Sequence, residues 1–113
     1  MKGQATVRPT RYEVSCLPVD HREHHHFTIE VKFRGPGDLW AVTTIFGACL
    51  SSEGEWDYEP SPSNRTDEWK ATHRFDLDTA LRLAKEQAPL MTVNGWTIDA
   101  VLAQAARPGG LAR

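Results

Sequence analysis

Residues 27–46, FTIEVKFRGPGDLWAVTTIF, decide the fold. Phe27, Ile29, Val31 and Phe33 alternate with Thr28, Glu30, Lys32 and Arg34. That period of two puts one apolar row on one side of an extended chain. Gly35-Pro36-Gly37-Asp38 interrupts it with four turn-forming residues. Leu39-Trp40-Ala41-Val42-Thr43-Thr44-Ile45-Phe46 resumes it with residues that suit a pleated, half-buried surface. The two runs predict an antiparallel hairpin, with strands at about 26–34 and 39–50 and a bend at Gly47.

Upstream, Tyr12, Val14 and Cys16 alternate with Arg11, Glu13 and Ser15, predicting a strand at about 11–16 that stops before Pro18. Downstream, Ser51-Ser52-Glu53-Gly54 reads as the turn of a second hairpin whose return strand covers about 55–59. In it Trp56 and Tyr58 share one face, and Glu55, Asp57 and Glu59 share the other. PSPSNRT, residues 60–66, is loop by composition. Trp69, Ala71, His73 and Phe75 alternate again and predict a strand at 69–75.

A helical period then takes over. Leu77, Ala80, Leu81, Ala84 and Ala88 form one stripe, with Asp76 or Asp78 as N-cap and Pro89 as terminator, predicting a helix at about 77–88. Asn94-Gly95 marks a tight turn. Ile98, Val101, Leu102 and Ala105, behind Thr97 or Asp99 as cap, predict a second helix at 98–106. Strands followed by helices indicate an α+β fold: an antiparallel sheet of four to five strands with two helices packed on one face. Residues 11–106 are expected to form one domain, with a flexible arm at 1–10 and a flexible tail at 107–113.

With 40% hydrophobic and 25% charged residues, the 113-residue chain has the composition of a folded globular domain. Its net charge of −2 argues against a nucleic-acid partner, since phosphate neutralisation needs a basic excess. No apolar run is long enough for a bilayer, and the N-terminal MKGQATVRPTRYE has no signal-peptide core. The expectation is a cytoplasmic protein with no membrane partner. Cys16 and Cys49 read as two buried, reduced thiols, with a disulfide open only if their strands lie side by side.

WDYEP (56–60), TDEWKATHRFDLDTALRLAKEQAP (66–89) and TVNG (92–95), with RYEVSCLP (11–18) and DLWAVT (38–43) upstream, carry a family likeness. From about Arg11 to Trp96 the chain resembles small conserved actinobacteriophage proteins, of the mycobacteriophage type, whose function is unknown. The resemblance implies a phage or prophage gene acting in the bacterial host cytoplasm. It assigns no catalytic or binding residue.

Three groups of side chains are candidates for function. DHREHHHF, residues 20–27, is histidine-rich; strand alternation would put His24 and His26 on one side, where His73 could complete a metal site. The plainer reading is a polar loop that takes up zinc or nickel opportunistically, with no resident cofactor. The acidic row Glu55, Asp57 and Glu59 could steer a basic partner or keep an edge strand soluble. Of four tryptophans, Trp40 and Trp56 are placed in the core, and Trp69 and Trp96 at a partner-binding surface. No nucleophile elbow, phosphate loop or dinucleotide fingerprint is present. The sequence thus predicts a non-enzymatic protein that binds a host or phage protein. A metal-binding or catalytic domain built on His24 and His26 is the alternative, and edge-strand pairing makes a homodimer the expected assembly.

Overall fold

The computed structural model describes residues 3–106, and within the last helix the side chains up to Gln104. The hairpin predicted from residues 27–46 is its centre. Strand β2 (Ile29–Phe33) pairs antiparallel with β3 (Trp40–Thr44), Val31 opposite Val42 and Phe33 opposite Trp40. Strand β1 (Arg11–Val14) flanks β2; β4 (Ala48–Leu50) and β5 (Trp56–Tyr58) continue the sheet on the far side of β3. The order is β1-β2-β3-β4-β5, all antiparallel, so β1 and β5 are the outer strands.

Ile29, Val31, Trp40, Val42 and Leu50 form the buried side of this sheet. Helix α2 (Leu77–Gln87) lies on them through Ala80 and Ala84, followed by Ala88, all essentially without solvent contact. Three alanines on one stripe let the helix backbone approach the sheet closely, while Leu77, Leu81 and Leu83 pack around the rim. Asp76 is the cap that forms: its carboxylate accepts from Thr79 N–H at 2.9 Å. Asp38 joins the hairpin turn to the same helix end, accepting from Trp40 Nε1 at 2.8 Å and from Leu77 N–H at 3.3 Å.

The strand expected at 69–75 is instead helix α1 (Asp67–His73). Thr66 accepts from Trp69 N–H at 3.1 Å, and Asp67 and Glu68 occupy the first turn, where the helix dipole favours negative charge. Only Phe75 joins the sheet, exchanging main-chain hydrogen bonds of 2.7 and 2.9 Å with Trp40. The fifth strand comes from the 39–50 run, which the turn at Gly47 (φ +88°) divides into β3 and β4.

Helix α3 (Ile98–Ala106), capped by Thr97, does not share the α2 face. Its Ile98 and Val101 pack with Leu17 and Phe27 in a second small core. It follows the hairpin β6 (Thr92–Val93) and β7 (Trp96–Thr97), whose turn residues Asn94 and Gly95 both have positive φ. The strand predicted at about 26–34 also starts later than expected, at Ile29: His24–Phe27 is one turn of 3-10 helix, closed by Thr28 Oγ1 donating to His24 O at 2.6 Å, and anchored by buried Phe27. Of the expected arm, residues 3–10 form neither helix nor strand, and Arg8 is set 4.4 Å over the Phe33 ring. The expected tail at 107–113 lies outside the described residues. Among the described residues no helix is long and apolar enough to cross a membrane.

Candidate functional site

Thr43, Cys49 and Asp57 are neighbours across β3, β4 and β5, on the side of the sheet away from α2. The segment from Pro60 through α1 folds over them. Ser52 N–H donates to Thr72 O at 2.8 Å, tying the turn of the second hairpin to the end of α1. His73, 5% exposed, reaches Asp57: Nε2 lies 2.8 Å from Oδ2. Its Nδ1 faces Trp69 O and Thr72 Oγ1, each at 2.8 Å. Trp69 stands one helical turn earlier and stacks on the imidazole, with centroids 4.1 Å apart and planes inclined by 2°. The Arg74 guanidinium lies 5.2 Å from the Trp69 ring centre.

Beside this pair is a cluster of arginines around one carboxylate. Glu59 Oε2 is 3.4 Å from Arg65, 3.5 Å from Arg74 and 3.9 Å from Arg34. Arg74 is nearly buried and donates to His73 O at 2.9 Å, and burial pulls its guanidinium below the ordinary arginine pKa. Cys49 is fully buried beneath it, and desolvation, reinforced by Glu59, pushes its thiol up to about 11. A thiol so protonated is a poor nucleophile.

The acidic row is therefore not a free anionic face. Asp57 is bound to His73 and Glu59 is surrounded by guanidinium groups, leaving Glu55 as its exposed member. Trp69 joins Asp57, Glu59 and His73 in one region. Trp96, 47% exposed, lies elsewhere, lining a cavity of about 300 Å³ with His21, Phe27 and Val101.

The histidines separate as well. The 3-10 turn replaces the strand alternation that would have aligned His24 and His26. His24 Nδ1 contacts Leu17 O at 3.0 Å and its Nε2 lies 3.8 Å from Glu13; His26 pairs with Glu23 at 3.2 Å and stacks on Phe46. His73 belongs to the α1 region instead. Among the described residues no three His, Cys, Asp or Glu side chains are grouped to hold a metal ion. Both cysteines are free, and Cys16 is exposed rather than buried.

The hydrogen-bonding phase of the outer strand β5 is the feature that sequence reasoning did not reach. Ser51 N–H to Glu55 O at 2.8 Å and Glu59 N–H to Gly47 O at 3.0 Å set its hydrogen-bonding phase against β4. In that phase Glu55, Asp57 and Glu59 face β4, and the main-chain groups of Trp56 and Tyr58 point away from the sheet. Trp56 packs on the core and donates to Gln87 Oε1 at 3.3 Å, whereas Tyr58 is 83% exposed. The Tyr58 ring passes over Gly47, next to Phe46, which is 58% exposed. No family model matches the chain, and comparison with curated proteins and with solved structures finds no match either.

Proposed function

We propose that this protein is a non-enzymatic interaction protein that captures an extended segment of a partner protein along β5. The outward main-chain groups of Trp56 and Tyr58 carry this reading, because a row of unpaired N–H and C=O groups is complemented best by another strand. The exposed rings of Tyr58 and Phe46 supply apolar contact for alternate side chains of that segment. The two outer strands differ in how they are guarded. On β1, Arg11 bridges Glu13 at 2.7 Å and Glu30 at 3.0 Å, a charged edge that discourages pairing. On β5 Asp57 is hydrogen-bonded to His73 and Glu59 is surrounded by arginines, so neither carboxylate is left free to guard the edge. The resemblance to phage proteins supports a host or phage protein, met in the host cytoplasm, as the partner.

Capture from host lysate by the wild-type protein, Tyr58→Pro and Glu13→Ala tests the reading. Proline is tolerated where an edge N–H faces away from the sheet, so Tyr58→Pro removes one outward donor and one ring with the fold kept. A partner retained by wild type and Glu13→Ala but lost by Tyr58→Pro supports strand capture. Equal retention by all three, or no specific partner, contradicts it.

A further inference from the structure

Arg34, Arg65, Lys70 and Arg74, with Leu39 and Pro62, line a cleft of about 170 Å³ between the end of β2 and the α1 segment. No carboxylate is among the residues lining it. Glu59 lies behind the cleft with 14% of its side chain exposed, and all three arginines converge on its single oxygen Oε2. The distances there, 3.4, 3.5 and 3.9 Å, are long for charge-assisted hydrogen bonds, which settle near 2.7–2.9 Å. One carboxylate thus serves three guanidinium groups incompletely.

The arginine donors around this carboxylate are incompletely used, and Lys70 adds a further cation at the cleft. Arg34 Nε is buried toward Glu59, too far from it at 3.9 Å for a hydrogen bond, and has no other partner. The only hydrogen bond that the Arg34 side chain donates among the described residues is a 3.5 Å contact from Nη1 to Phe33 O. Lys70 makes no salt bridge or side-chain hydrogen bond among the described residues. Arg65 and Arg74 are held in place by Pro60 O at 2.8 Å and His73 O at 2.9 Å, so they act as fixed charges. Four cations against one anion, packed in a small cleft, repel one another unless a second anion joins them.

We propose that this cleft binds a phosphate group, as inorganic phosphate or as the phosphate of a small phosphoester. Arg34 and Lys70 contact it, and Arg65 and Arg74 supply fixed positive charge. A phosphate dianion matches the charge excess better than a carboxylate, and guanidinium forks suit its oxygens. A polynucleotide is a poorer fit. The chain has a net charge of −2 and the cleft has room for one phosphate rather than a track of them. The site is independent of strand capture at β5.

Titration of the full chain with sodium phosphate at constant ionic strength, in a phosphate-free buffer, tests the proposal by thermal melting and NMR shifts. Sodium chloride, sodium acetate and glycerol 3-phosphate are run in parallel. A saturable rise in Tm with phosphate, small with acetate and absent with chloride, is expected, and Arg34→Gln and Lys70→Gln should each weaken binding about tenfold or more. A stronger response to glycerol 3-phosphate identifies a phosphoester as the ligand; equal responses identify the phosphate group alone. Both substituted side chains are partly exposed, so circular dichroism should show the fold retained. Equal responses to phosphate and chloride, to phosphate and acetate, or wild-type binding by both variants would overturn the proposal.

Discussion

His73 Nε2 donates to Asp57 Oδ2 across 2.8 Å, joining α1 to the outer strand β5. An ionised carboxylate only accepts, so Nε2 is the donor in this contact, while Nδ1 lies 2.8 Å from Thr72 Oγ1 and from Trp69 O. The bond ties the folded-over segment to the sheet and engages a carboxylate on the strand proposed to receive a partner.

Removing that acceptor leaves a buried imidazole N–H without its partner. Asp57→Ala should lower stability by about 1–3 kcal/mol in urea denaturation, toward the lower figure because the carboxylate is partly exposed. Asp57→Asn, which keeps an acceptor oxygen, should recover part of the loss. No change in Asp57→Ala would mean that α1 is held by its other contacts alone.

The two thiols should differ sharply. Cys16 is exposed, whereas Cys49 is buried with its pKa raised from 9.0 to about 11. A rise of that size lowers the thiolate fraction about a hundredfold at neutral pH, before burial is considered. A thiol reagent should modify one cysteine per native chain quickly and the second only on unfolding. The linkage has a definite sign: Cys49 favours the folded state below pH 9, and that contribution is lost as pH rises from 9 through 11. Rapid modification of both thiols would contradict the burial.

Asp76 caps α2 through Thr79, and those hydrogen bonds hold its carboxyl below the ordinary value. A depressed carboxyl stabilises the fold above its unfolded pKa and loses that effect as pH falls through the folded one. Asp76→Ala should therefore lower Tm at pH 7 and approach wild type in acid. Asp76→Asn should cap α2 with little dependence on pH. A wild-type Tm for Asp76→Ala at pH 7 would remove the cap from the account.

The alanine stripe of α2 leaves no room for larger side chains. Ala84 is fully buried against the sheet, so Ala84→Leu should cost about 1–3 kcal/mol by overpacking. Leu50→Ala, which empties a fully buried site in the same core, should cost about 2–5 kcal/mol. Tolerance of both in urea denaturation would contradict the close approach of helix and sheet.

The central hairpin and α2 were legible because one period dominates each: two from Phe27 to Phe33, helical from Leu77 to Ala88. The stretch from Trp69 to Phe75 satisfies both periods. Trp69 and His73 are alternate-face partners in a strand and also i,i+4 neighbours on a helix, where they stack. Thr66 followed by Asp67 and Glu68 was the signal that separates the two. The histidine turn was misread because the alternation of β2 was extended backwards through Phe27, which packs in the second core. The arginine cleft had no signature at all. Arg34, Arg65 and Arg74 meet only because α1 folds back over the sheet, and no spacing along the chain encodes that contact.

Amide hydrogen exchange at β5, read residue by residue by NMR, tests the central claim most directly. In the free protein the N–H groups of Trp56 and Tyr58 should exchange quickly, while Asp57 N–H, which faces β4, exchanges slowly. On adding the captured partner, Trp56 and Tyr58 should become protected. Protection at high protein concentration without a partner would assign the edge to a second copy of this chain. Slow exchange at Trp56 and Tyr58 in the free monomer, or exchange unchanged by the partner, would contradict strand capture at β5.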